Sequence, residues 1–482
     1  MSDRWCLLRD VSTQRATVVV GFGLDWDDEE RGIISPLPRS AAQKMHEAAR
    51  PYCMVLANEN GSPILRARVN GAAGYLGYIT YDLEGRPTIG MDYHRFGEVL
   101  ALRRVHIEAP DTQMSFTVEI QPDGEAETDL RSKHGSFQQR PRVPAEHRIL
   151  PEPSFGPSDA EEGWFDAEIA YQYGVPPEPD AGELETGPVG WAVPDLSPAS
   201  PHRLNALFTP GTRLRADRGG KERTWTVKDA ELAGTVKLPT GHVVASDPYL
   251  IDENTQPFTV TVPPGQYPLY LAHVSHGDDE WTTVSAAKLE VSPRPTATWE
   301  LALLPGQDTA LLGKDQFYGF GVDTGTGAFL DHSACPAFLD LDDVLEATDE
   351  DADLHPDGFG EFQDRTHGTG ANMITYPSGY GDGSYPVWIG RDEDGEVTCF
   401  VADMYVVGVA EPESPAATPE PRLIEPPNPD RSSWAPTKAE AVMRPGTAAR
   451  YFAEMFQRAA KGQASMLQGR QQWLKHLSQT DA

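Results

Sequence analysis

YPSGYGDGSYPVWIGRDEDGEVTCFVADM, residues 376–404, decides how the rest of the chain is read. It divides into a Gly-Asp-Gly turn at 381–383, a β-rich run at 385–389, an Asp-Glu-Asp-Gly turn at 392–395 and a second β-rich run at 397–401. Val, Ile, Trp, Phe and Thr suit a pleated, half-buried surface, and Asp and Gly supply the bend. The spacing predicts two antiparallel strands joined as a hairpin.

Working outward, the same pattern fills residues 230–408. Strands are expected at 234–238, 242–245, 258–262, 269–274, 282–291 and 298–304, with Pro-Thr-Gly at 239–241 and Pro-Pro-Gly at 263–265 as bends. Short strands separated by Pro and Gly imply an antiparallel sandwich or barrel-like sheet. Residues 1–120 read as an N-terminal β-rich domain, with a short helix at 39–49. Residues 121–160 lose periodicity and read as a linker or long loop, and 161–229 as a Pro- and Gly-rich connecting segment, with short strands open at 204–208, 212–216 and 223–227 that would make it an extension of the next domain. The proline-dense stretch 411–436 reads as an extended spacer. Residues 437–482 change class to a basic amphipathic helix, with Phe452 and Phe456 on one face and Trp473 extending it, which either docks on the acidic body or serves as a tethered module for a partner protein. The expected fold is therefore mainly β and multidomain, with a C-terminal helical tail.

Composition narrows the function classes. The net charge of −33 repels nucleic-acid phosphates and anionic lipid, which argues against both as partners. The four cysteines are far apart, without C-x-x-C spacing, so neither a zinc site nor a disulfide framework is signalled. No stretch has the length and apolarity of a membrane span, and the first residues are charged, so a cytoplasmic setting is expected.

Several segments in order carry a family resemblance: PTGHVVASDPYL from residue 239, VPPGQYPLYL from 262, ATWELAL from 297, YGFGVDTGTGAFLD from 318 and SGYGDGSYPVWIGRDEDGEV from 378. Together they resemble an uncharacterised, mainly bacterial family, domain of unknown function 4241, over roughly residues 230–408. The resemblance implies one domain there and brings no activity, cofactor or ligand with it.

Asp247, Asp323, Asp331, Asp382 and Asp403 all lie inside or beside these motifs, each next to an expected strand end. Gathered together they would suit a divalent cation, which wants several carboxylate oxygens. The alternative is that each caps its own turn. Ser378 and Tyr385 flank Asp382 and complete the set of binding candidates. Other chemistry is poorly signalled. Gly381-Asp382-Gly383 is followed by a strand, not by the helix of a phosphate loop, and Gly319-Phe320-Gly321 misses the dinucleotide spacing. No G-x-S-x-G elbow surrounds a serine, and Cys335 near Asp331-His332 makes no evident dyad. Asp349, Asp351 and Asp353 begin like a calcium loop, but Leu354 and Gly360 stand where glycine and an acid are needed.

The reading that fits best is a cytoplasmic binding or scaffold protein that engages a partner protein, with an immunity- or defence-associated role as one possibility. Phe452, Phe456 and Trp473 are the tail residues expected to meet the partner, and no cofactor is required. The alternative is a metal-dependent, hydrolase-like enzyme built on the aspartates, with a divalent cation bound.

Overall fold

The computed structural model describes residues 18–151, 173–174, 189–276, 281–339, 360–412 and 421–463. Within these spans it leaves out 31, 59–60, 83, 110–111, 202, 218–221, 364–367, 409, 427–430, 432–433, 438–439, 441–447 and 449–450. The chain forms two compact units, Met1–Asp195 with Asp430–Ala482, and Leu196–Pro429. Both are built mainly on antiparallel sheet, and among the described residues no sheet closes into a barrel.

In the first unit most strands follow one another across one large sheet, beside a small hairpin of Asp25–Asp27 and Gly32–Ile34. Val18–Gly23 pairs with Tyr52–Asn58, and then come Pro63–Asn70, Tyr75–Tyr81, Pro87–Phe96, Val99–Ala109, Met114–Ile120, Ala126–Ser132 and Gly135–Gln139. The last two strands fall where the sequence predicts a linker. Their alternation is muted, because Ala126, Thr128 and Leu130 turn inward while Glu127, Asp129 and Arg131 fill the positions between. One large aliphatic side chain in seven residues is a weak apolar signal, and the neighbouring strand supplies the burial.

The inner face of this sheet packs against the helix at residues 451–463. Ala448, Phe452, Phe456 and Ala459 recur at helical spacing and are all buried there. The Phe456 ring lies 5.9 Å from that of Phe116, and Tyr451 stacks on His147 at 4.1 Å. Phe452 and Phe456 are thus core residues of their own unit, in line with a tail that docks on the body and against their service as free contacts for a partner protein. Trp473 lies outside the described residues.

The second unit holds a larger and a smaller sheet. Across the larger one, Arg213–Asp217, Glu222–Val227, Gly265–His276, Thr283–Glu290, Val397–Asp403, Gly383–Arg391 and Thr298–Leu301 are neighbours in that order. The first two belong to the segment expected as a connector, so this unit begins at Leu196, ahead of the sequence-based boundary at 230. The smaller sheet orders Val243–Ser246, Thr326–Asp331, Asn372–Pro377 and Glu361–Gln363. The strand expected at 258–262 is reduced to an isolated bridge between His242 and Thr261. Pro257 and the Pro263–Pro264 pair flank it and remove ladder donors.

The hairpin read from residues 385–401 is present. Gly383–Arg391 pairs antiparallel with Val397–Asp403, with Ile389 opposite Phe400. Gly395 closes the turn at φ +84°, a conformation glycine takes without strain. The Asp392 carboxylate accepts the Asp394 and Glu396 backbone N–H groups at 3.0 and 2.9 Å. Trp388, Phe400 and Val401 then bury themselves in the core shared with Trp299 and Leu289.

The proline-dense spacer is partly taken into this unit. Ala410–Pro412 pairs with Arg213–Asp217, and Arg422–Leu423 adds in parallel to Thr298–Leu301. Among the described residues no helix is long and apolar enough to cross a membrane.

Candidate functional site

The five aspartates separate into three different settings. Asp247 follows strand Val243–Ser246 and is fully buried. Its carboxylate accepts the Tyr249 N–H at 2.9 Å, capping a short 3-10 turn at Pro248–Leu250. The same carboxylate accepts the backbone N–H groups of Asp323 and Thr324 at 2.9 and 2.8 Å, and the Thr324 hydroxyl at 2.9 Å. It therefore stitches its own turn to the one between Gly319–Val322 and Thr326–Asp331.

Asp331 closes strand Thr326–Asp331 and is also fully buried. It accepts from the Thr240 N–H and hydroxyl, the Gly241 N–H, and the Ser333 N–H and hydroxyl, all between 2.6 and 3.1 Å. Burial alone would push this carboxyl up. The bonds from Thr240 and Ser333 outweigh that and hold it below its ordinary value. Every lone pair facing these donors is engaged, which leaves the oxygens poorly placed to ligate an ion.

Asp403 ends the second strand of the hairpin and is buried with one bond, from the Tyr405 N–H at 2.9 Å. Burial pushes its carboxyl up to about 7. Asp323 and Asp382 have exposed side chains. Among the described residues no group of three or more His, Cys, Asp or Glu side chains is placed to hold a metal ion.

Ser378 and Tyr385 serve the loop around Asp382. The Ser378 hydroxyl donates to the Gly381 carbonyl at 2.9 Å, and the Tyr385 hydroxyl donates to the same oxygen at 2.7 Å. Ser378 N–H donates to the Gly325 carbonyl at 3.0 Å. Gly381-Asp382-Gly383 is in this way a turn tied down through its carbonyl, which is the opposite of a phosphate-binding loop with free N–H groups. Cys335 is buried, and burial with the nearby Asp331 charge pushes its thiol up to about 12. A thiol held so far from its thiolate is inert as a nucleophile. Asp349, Asp351 and Asp353 lie outside the described residues.

Among the described residues of this unit, a cleft of about 300 Å³ opens between the two sheets. One wall is strand Gly319–Val322 with Tyr318; Ala245 and Ser246 come from the smaller sheet, and Asn254, Thr255 and Gln256 from the loop that follows Leu250. Phe258, Phe320, Leu250 and Leu304 supply the apolar surface, and Gln307 adds an amide. No lining residue carries a charge. Gln307 Oε1 accepts the Leu304 N–H at 2.8 Å, which leaves its NH₂ as a donor for a guest.

Sequence reasoning tested Gly319-Phe320-Gly321 for a dinucleotide site and missed it as a cleft wall. The available signal was glycine at alternate positions of a strand, which marks a bulge or a close approach by another group.

The cleft lies within a segment that a family model recognises. Residues 236–402 match the model described as protein of unknown function (DUF4241). This segment is a DUF4241 domain. Comparison with curated proteins and with solved structures returned no match. The DUF4241 match takes in both sheets' central strands, the hairpin from 383 to 402, Asp247, Asp331 and every residue lining the cleft, and stops one residue short of Asp403.

Proposed function

We propose that this chain is a binding protein that engages a partner protein through the cleft of its DUF4241 domain. The observation that carries the reading is the use made of the aspartates: Asp247 and Asp331 hold turns together through saturated carboxylates, while the concave surface nearby is neutral and part apolar. A cleft whose polar groups are all uncharged, set among aromatic and aliphatic ones, suits recognition more than proton transfer or Lewis-acid chemistry. The free cysteines Cys53, Cys335 and Cys399 fit the reducing setting of a cytoplasm. The acidity of the chain fits a partner of basic character, as an immunity- or defence-type neutraliser would require.

The test uses the full chain as bait in cells of its native host. A protein captured by the wild type should be lost with Leu250→Arg, which places a charge in the cleft. It should be kept with Leu423→Arg, another exposed apolar site in the same unit. In parallel, thermal melts in EDTA and then Mg²⁺, Ca²⁺, Mn²⁺ or Zn²⁺ should coincide. A metal-specific rise removed by Asp323→Asn and Asp382→Asn would overturn the reading in favour of a metal-dependent hydrolase.

A further inference from the structure

Strand Gly319–Val322 is an edge strand beside the cleft. Tyr318 and Phe320 share one of its faces, and the glycines between and after them leave the backbone bare. Tyr318, Gly319, Phe320 and Gly321 are consecutive and all line the cleft. Among the described residues this strand pairs only with Gly383–Arg391.

The two glycines have different reasons to be there. At Gly319 a Cβ would lie 2.5 Å from the Tyr385 carbonyl oxygen, so the fold itself demands glycine. At Gly321 a Cβ would meet nothing closer than Leu250 Cδ1, at 3.8 Å, an ordinary contact. Its φ lies outside the left-handed region. Neither packing nor backbone conformation calls for glycine at 321, and glycine inside a strand is a net cost to stability. What it provides is a bare backbone beside Leu250, inside the cleft.

The neighbouring position along the same layer shows how such an edge is used. Thr298–Leu301 lies on the same partner strand, Gly383–Arg391, and its outer edge is covered by the extended segment Arg422–Leu423. The geometry points to the equivalent arrangement at Gly319–Val322 with a guest from outside. An extended peptide segment of the partner protein adds there as a strand, its backbone hydrogen-bonding along the edge beside Gly321. An uncharged side chain of that segment enters the neutral cleft between Phe320, Leu250 and Gln307. At about 3.3 Å per residue, the four-residue edge takes a guest segment of about four residues. Main-chain bonds give such a complex its affinity, and the pocket gives its selectivity. This inference rests on the cleft being the partner-binding site.

The probe is a displayed library of random heptapeptides selected on the full chain, followed by synthetic, fluorescein-labelled copies of the selected peptide. Binding is measured by anisotropy to the wild type, to Gly321→Val and to Leu423→Arg. The expected result is a peptide without charge at its central position. Gly321→Val should weaken it by about tenfold or more, as should N-methylation at alternate peptide positions, each removing a main-chain bond. Leu423→Arg should leave it unchanged. Circular dichroism and melting of Gly321→Val should match the wild type, since its Cβ makes no contact closer than the ordinary one to Leu250 Cδ1. A peptide sensitive to Gly321→Val but indifferent to N-methylation at every position would overturn strand addition and keep the cleft as the site. Selected peptides that ignore Gly321→Val, or a selection that yields none, would overturn the cleft as a peptide site as well.

Discussion

The Asp247 carboxylate accepts the backbone N–H of Asp323 at 2.9 Å. Two aspartates that the sequence left open as co-ligands or as caps of their own turns are acceptor and donor in one joint between loops. The Asp323 side chain points away into solvent while its main chain is held.

This relationship sets the first expectation. Asn at position 247 would keep one carbonyl oxygen but turn an NH₂ toward main-chain N–H donors. Asp247→Asn should therefore destabilise the second unit by about 2–4 kcal/mol, since buried bonds to a charged acceptor are lost and donors are left unpaired. Asp323→Asn and Asp382→Asn, with exposed side chains, should stay within about 0.5 kcal/mol of the wild type. Urea midpoints of the three variants check the contrast. Equal midpoints for all three would mean that the Asp247 bonds contribute nothing net.

The second expectation concerns Arg391, from the hairpin turn. Its Nε and Nη2 donate to Glu300 Oε1 at 2.9 and 2.6 Å, and its Nη1 donates to the Gly395 carbonyl at 2.8 Å. Glu300 is 1% exposed. Arg391→Ala strands a buried carboxylate and should cost about 3–5 kcal/mol. Adding Glu300→Gln to that variant removes the stranded charge and should recover part of the loss. A double-mutant cycle by urea denaturation measures the coupling.

Phe452→Ala and Phe456→Ala give the third. Both rings sit in the core of the first unit, Phe452 with no exposure and Phe456 with 5%. Each truncation should cost about 3–5 kcal/mol, with Phe452→Ala the larger. Differential scanning calorimetry should show the lower-melting change in one transition only, that of the first unit. A loss smaller than about 1 kcal/mol would mean that the helix is an appendage and not part of the core.

How much of this was legible in the sequence follows from distance along the chain. The 383–403 hairpin was readable because strand, turn and return strand lie side by side in the sequence. The shared face of Phe452 and Phe456 was readable from helical spacing, but the sheet it covers is contributed by residues more than three hundred positions earlier, such as Phe116. Nothing local announces such a partner. The same holds for Asp247 and Asp323, 76 residues apart. A short polar residue at a strand end is compatible with a metal, a turn cap or a bridge between loops, and only the fold selects the bridge. The cleft draws its lining from separate segments, and its most informative residue, Gly321, is conspicuous only once the space around its missing Cβ is known.

Asp403 gives the last expectation, and it is a pH dependence. Burial raises its carboxyl to about 7 in the folded chain, against an ordinary value of 3.8. Below the ordinary value both folded and unfolded chains are protonated and the group is indifferent. Between about 4 and 7 the unfolded chain has lost the proton while the folded chain keeps it, so folding is progressively disfavoured as pH rises. Above 7 the folded chain also ionises and the penalty levels off at roughly 4 kcal/mol, from about three pKa units at 1.36 kcal/mol each. Asp331, whose carboxyl is held low, works in the opposite sense, contributing stability that is lost as the solution turns acid. The whole chain's profile mixes the two, so the difference between Asp403→Asn and the wild type is the quantity to follow. Asn keeps an acceptor for the Tyr405 N–H and carries no charge. Relative to the wild type, Asp403→Asn should be near neutral at pH 4 and increasingly stabilising up to about pH 7, then constant. Urea unfolding of both proteins across that range decides it. A difference that does not change with pH would mean that Asp403 titrates as an ordinary carboxyl despite its burial.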